Sequence, residues 1–130
     1  MALSLQTSEL MAARIENDLA EKHIEQLIKA INAKKFSDFA KMVIKESNQL
    51  HAICQDTYPT ICYMNEYSRQ VISLCTKLNR EAANNEEMVA YSVDAGSHVF
   101  VFTMKDNIEF VMAQLNTLNT DDNTIFERII

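Results

Sequence analysis

One glycine and one proline in 130 residues leave this chain little with which to interrupt a helix, so helix is expected to dominate. The exception is residues 88–104, which read as two β-strands around a tight turn. Val89, Tyr91 and Val93 alternate with Ala90, Ser92 and Asp94, the period of a strand with two distinct faces. Val99, Phe100, Val101 and Phe102 are apolar on both faces, as a buried strand would be. The expected strands are therefore 88–93 and 99–103, antiparallel and adjacent. Gly96, the only glycine, falls between them and marks a position that needs φ > 0 or a close backbone approach. Asp94 ends the first strand beside it. A carboxylate at a strand end is well placed for chemistry, and Asp is equally a common turn residue; the local pattern leaves both readings open.

The rest of the chain reads as helices. Thr7 or Ser8 can cap the first, followed by Glu9 at the positive end of the dipole. Leu10, Met11, Ile15 and Leu19, then Ile24, Leu27, Ile28 and Ile31, have helical spacing, with a register slip between Asn17 and Asp18 that predicts two helices or a bent one. Ser37 suits the cap of the next helix, whose apolar stripe is Phe39, Ala40, Val43, Leu50 and Cys54. Thr57-Tyr58-Pro59 should end it, because the residue before proline is pushed out of the helical region. Asn65 can cap a further helix carrying Tyr67, Val71, Leu74, Cys75 and Leu78, and residues 80–87 read as a loop. Asp106 takes a capping role before a last helix with Ile108, Val111, Met112, Leu115 and Leu118. A two-stranded hairpin alone is marginal in water. Either helices cover it or other strands join it, from residues 1–5 or from another chain. The expected architecture is α+β, with helices packed on one face of a small antiparallel sheet: one domain over residues 1–118 and a tail over 119–130.

Composition excludes several function classes. A net charge of −6 with no basic run argues against a nucleic-acid surface. No apolar run approaches the ~20 residues of a membrane span, and the first residues have neither the basic region nor the apolar core of a signal peptide. Cys54, Cys62 and Cys75 form no CxxC pair, read as small buried hydrophobes, and in their odd number suit a reducing compartment, so a cytoplasmic location is expected. His23, His51 and His98 are too scattered for a metal site; His23 is expected at the surface and His51 in helix packing. The methionines mostly fall on apolar stripes and read as core fill. Ser47, Asn48 and His51 are unusual in a helix of good formers: either a polar face, or a face turned toward a site. No glycine-rich loop is present to cradle phosphate.

Several stretches together resemble the C-terminal lobe of the diphosphomevalonate decarboxylases, in the kinase superfamily of galactose, homoserine, mevalonate and phosphomevalonate. They are Thr7-Ser8-Glu9-Leu10 with Arg14-Ile15-Glu16, residues 36–40, Ser47-Asn48 with His51-Ala52, Cys54, Asp56-Thr57-Tyr58-Pro59, Tyr63-Met64-Asn65, Ala90-Tyr91, Asp94-Ala95-Gly96 and Phe102. The resemblance implies a ferredoxin-like lobe lacking its first strand. It implies that Asp94 is the base for the 3-hydroxyl of mevalonate diphosphate, and that Ser8 lies near the substrate diphosphate. It implies an ATP-dependent decarboxylation yielding isopentenyl diphosphate, with ATP and Mg²⁺ held by a missing N-terminal lobe and none bound by this chain alone. Two departures stand out. Ser97 and His98 replace the family's usual proline and asparagine, which should loosen the turn after Asp94, and Thr60 replaces a second proline. The chain has the look of a cut piece of the enzyme or a degenerate descendant. A non-catalytic lobe that binds a partner by an open strand edge, a homodimer included, is the alternative; a plain helical interaction module is the third.

Overall fold

The computed structural model describes residues 2–96 and 98–118. Six helices and one hairpin follow one another: α1 (Ala2–Thr7), α2 (Glu9–Glu16), α3 (Leu19–Asn32), α4 (Phe36–Asp56), α5 (Glu66–Glu81), β1 (Val89–Val93), β2 (Val99–Thr103) and α6 (Ile108–Leu115), with short 3₁₀ turns at Ala83–Asn85 and Lys105–Asn107. The strands are antiparallel, with Tyr91 opposite Val101 and Val93 opposite Val99. The fold is α+β, as expected, and the strands begin and end within one residue of expectation. No helix of the described residues is long and apolar enough to cross a membrane.

The core forms where one face of the hairpin meets α5 and α6. Val89 and Tyr91 pack with Val71, Cys75 and Leu78 of α5 and with Val111 and Leu115 of α6, and Val99 and Val101 of β2 close the side. Burial pushes the Cys75 thiol up to about 12, so it behaves as an inert apolar group. β2 is not buried on both faces: Phe100 and Phe102 stand 48% and 40% exposed on the face away from the core.

The outer edge of β1 is held at both ends by side chains. Asn79 of α5 donates its amide to the Val89 carbonyl at 2.9 Å and accepts the N–H groups of Met88 and Val89 at 2.9 and 3.0 Å. Ser47 and His51 of α4 hold both backbone groups of Val93. Backbone groups on an antiparallel strand alternate between its two edges. Val89 and Val93 thus face outward, and the sheet edge left open among the described residues is that of β2.

Local signals account for most boundaries. Ser8 caps α2, and Asn65 caps α5 in a reciprocal capping box with Ser68. Thr57, in extended conformation, ends α4. The chain breaks between α2 and α3 at Asp18, whose φ of 49° is left-handed. Other expectations are corrected. The N-terminal residues form helix α1 and add no strand. Ser37 lies inside α4, which starts after Lys35, and its hydroxyl instead bonds the Glu87 N–H and carboxylate. Asp106 sits within a 3₁₀ turn, and α6 ends before Leu118. Cys62 and Met104 are exposed, not core. The tail, 119–130, lies outside the described residues.

The largest correction concerns α3. Its buried side is His23 and Ala30, while Ile24, Ile28 and Ile31 are more than half exposed. His23 is therefore not a surface residue. An Ile28→Gln substitution should change stability by less than about 0.5 kcal/mol, as exposed positions do, while reducing binding of an apolar dye to the chain. Urea unfolding and dye titration of the same samples check both.

Candidate functional site

Helix α4 holds Ser47, Asn48 and His51, the three polar residues that stand out in its sequence. Ser47 and His51 are one turn apart, on one side of the helix, and both are buried. The Val93 N–H donates to Ser47 Oγ at 3.0 Å, and His51 Nε2 lies 2.7 Å from the Val93 carbonyl oxygen. A carbonyl only accepts, so Nε2 carries a proton. The Tyr91 hydroxyl donates to Asn48 Oδ1 at 3.0 Å; burial of this phenol pushes its pKa up. The polar stretch in α4 is thus a face turned toward the end of β1.

Asp94 follows immediately, exposed at the head of the turn. The Gly96 N–H donates to the Asp94 carbonyl at 2.9 Å. Gly96 has φ of 158°, a conformation that L side chains rarely adopt, and no atom lies within 4 Å of where a Cβ would stand. The lone glycine therefore serves the backbone of the turn, not a close approach. Among the described residues the Asp94 carboxylate has no hydrogen-bond or ion-pair partner. A carboxylate so exposed can take a proton from a hydroxyl placed within hydrogen-bond reach.

Ser8 is placed differently. It is buried at the start of α2, where its Oγ accepts the Met11 N–H at 3.1 Å and donates to Asp56 Oδ2 at 2.7 Å. Asp56, the last residue of α4, also accepts the Leu10 N–H at 3.0 Å. Nearby, Thr7 Oγ1 accepts the Tyr58 N–H and Thr57 donates to Ser4 Oγ. The Thr7-Ser8 and Asp56-Thr57-Tyr58 stretches therefore clasp each other. The anion that the α2 N-terminus attracts is the protein's own Asp56. Asp56 and His51 are separated by about 7.5 Å of helix rise, so Asp94 and Ser8 hang on different turns of α4.

The bond from the Leu10 N–H, then that from Ser8, holds the Asp56 carboxyl below the usual range. Glu46 is lowered too: burial works to raise it, but the paired Arg14 guanidinium, at 2.7 and 3.0 Å, and buried His23 outweigh that. Both carboxyls are depressed in the fold, so their stabilisation is full above the ordinary carboxylate pKa, about 4, and is lost as pH falls through the folded values. Acid titration followed by circular dichroism should show loss of structure below that range, and Asp56→Asn should make the loss shallower.

A cleft of about 320 Å³ opens beside the Val93 contacts, lined by Asn48, His51, Ala52 and Gln55 of α4, by Met64, and by Arg69 and Ile72 of α5. Neither Asp94 nor Ser8 lines it. No group of three or more His, Cys, Asp or Glu among the described residues could hold a metal ion. Sequence reasoning missed the partnership of Asp56 with Ser8, which is 48 positions away, and the capping of Val89 by Asn79. It flagged Ser47 and His51 by their polarity in a helix, without naming Val93 as their target.

Comparison with known proteins gives a consistent result. The family model for the mevalonate 5-diphosphate decarboxylase C-terminal domain matches residues 1–129. The diphosphomevalonate decarboxylase of Rattus norvegicus is 39% identical over 114 residues, which is 87% of this chain and 28% of that protein. A crystal structure of mevalonate 5-diphosphate decarboxylase superposes with a TM-score of 0.76 at 30% identity, over 97% of this chain and 38% of that one. A solved complex of MDDEF with MVAPP, AMPPCP and magnesium shares the fold, with a TM-score of 0.77 at 22% identity over 88% of this chain and 33% of that one. This chain thus spans less than a third of the rat relative's length, and it belongs to the mevalonate 5-diphosphate decarboxylase C-terminal domain family.

Proposed function

We propose that the chain is the C-terminal part, one lobe over residues 1–118, of a cytoplasmic, ATP-dependent decarboxylase that converts mevalonate diphosphate to isopentenyl diphosphate. The observation that carries this reading is Asp94: an exposed carboxylate directly after the end of β1, close to the only glycine of the sequence, in a chain of this family. Its role is to accept the proton of the substrate's 3-hydroxyl as that oxygen is phosphorylated. ATP and Mg²⁺ are assigned to the part of the enzyme outside this chain: a protein of the same fold was solved with AMPPCP and magnesium, and this sequence has no glycine-rich loop to cradle phosphate. The contribution left to Ser8 is indirect: its hydroxyl hydrogen is committed to Asp56, and it would shape the diphosphate end of the site by holding the start of α2 against α4.

Calorimetric titration of the chain alone with Mg-ATP is expected to give no one-to-one isotherm, because phosphate needs a cluster of free backbone N–H groups. Joined to the N-terminal portion of the rat relative, the chain should restore growth to cells that lack diphosphomevalonate decarboxylase. Failure of a folded, expressed fusion to do so would favour a second reading, a non-catalytic binding lobe. That reading is motivated by the open β2 edge and the exposed Phe100 and Phe102.

A further inference from the structure

We propose that Ser47 and His51 are positioning residues for Asp94, acting through the backbone of Val93; this rests on the reading of Asp94 as the proton acceptor. Val93 is the last β1 residue paired with β2, and its N–H and C=O point away from that strand, into α4. The last cross-strand bonds therefore belong to Ser92 and Phe100. Held only by them, the chain would be loose from Val93 to Val99. The two α4 side chains move the anchor to the residue directly before Asp94. The Val93 carbonyl also shares a rigid plane with the Asp94 nitrogen and Cα, so the bond from His51 sets the direction in which Asp94 leaves the strand. No hydrogen bond or ion pair orients the carboxylate among the described residues. Two polar side chains buried in a helix, each bonded to one backbone group of one residue, are costly unless satisfied; both are satisfied here, at the strand end where the acceptor must be aimed.

The test uses the full chain joined to the N-terminal portion of the rat relative, assayed for ATP-dependent decarboxylation of mevalonate diphosphate. Ser47→Ala and His51→Leu should each lower kcat by roughly ten- to a hundredfold, the effect of a small misplacement of a reacting group, with KM little changed. Ser47→Thr and His51→Gln keep a polar atom in place and should recover most of that loss. In an Asp94→Asn background neither Ser47→Ala nor His51→Leu should lower the rate further. Losses that multiply with that of Asp94→Asn, or normal rates in both variants where Asp94→Asn is impaired, would overturn the proposal and leave the role of Asp94 standing. Unimpaired Asp94→Asn would overturn both. Should the variants fail to fold, nuclear magnetic resonance of the unaltered 130-residue chain decides. The Val93 amide should exchange slowly and His51 should carry its proton on Nε2; fast exchange, or an Nε2 without a proton, would overturn the proposal.

Discussion

Asp94→Asn, in the chain joined to the N-terminal portion of a relative, is expected to lower turnover by roughly 10²–10⁴, the usual contribution of a general base. The substitution keeps the shape of the side chain and removes the proton acceptor. Asp94 is exposed and its carboxylate has no hydrogen bond or ion pair among the described residues, so the fold should not register the change, and the melting temperature serves as the control. Binding of mevalonate diphosphate should change much less than turnover. A change confined to KM would mean that Asp94 only binds, and near-normal turnover would place the base elsewhere. His98→Asn, which puts back the residue that the family resemblance implies at this place, offers a companion measurement: a gain in turnover with Asp94 intact would mean that His98 is a handicap.

Asn79→Ala should be the most damaging single change to the fold outside the apolar core. One side chain serves three backbone groups at the start of β1, and Val89 is fully buried. Truncation leaves those groups without partners in a place water reaches poorly, at a cost of about 1–3 kcal/mol for each fully buried group. A total loss of about 2–4 kcal/mol is expected, because Met88 is only half-buried and can recruit water. Urea unfolding checks it. The contrast with Ile28→Gln is the informative comparison: the isoleucine is the more hydrophobic residue, yet the asparagine carries the stability, because position in the fold and not residue type decides the cost. A loss under about 0.5 kcal/mol, the level of an ordinary surface change, would mean that the edge of β1 is not held as described.

Features with a local cause were legible in the sequence. The strands around Gly96, the cap at Asn65, the stop at Thr57 and the break before α3 each depend on residues a few positions apart, and each is found. Features decided by distant partners were not. Periodicity identified Ile24, Ile28 and Ile31 as one stripe but could not say whether anything covers it. The side of α3 that is buried holds His23 because Glu46 and Arg14 wait there on neighbouring helices. Ser37 has the chemistry of a cap, but Glu87, 50 positions away, takes its hydroxyl. At the site, the place of Asp94 at a strand end ahead of Gly96 was legible, while the local pattern left a turn residue and a proton acceptor both open. The committed state of Ser8 was not, because it depends on where α4 ends relative to α2. Ser47 and His51 announced themselves only as polar residues on an apolar helix; their shared target became visible with the register of the hairpin.

The most direct test of the central claim is the formation of carbon dioxide from mevalonate diphosphate by the joined protein, measured together with isopentenyl diphosphate. With ATP and Mg²⁺ the two products should appear in equal amounts. They should be absent without ATP, absent with the 130-residue chain alone, and strongly reduced by Asp94→Asn. A folded joined protein that binds mevalonate diphosphate and ATP yet releases no carbon dioxide would contradict the account, as would undiminished release from the Asp94→Asn variant.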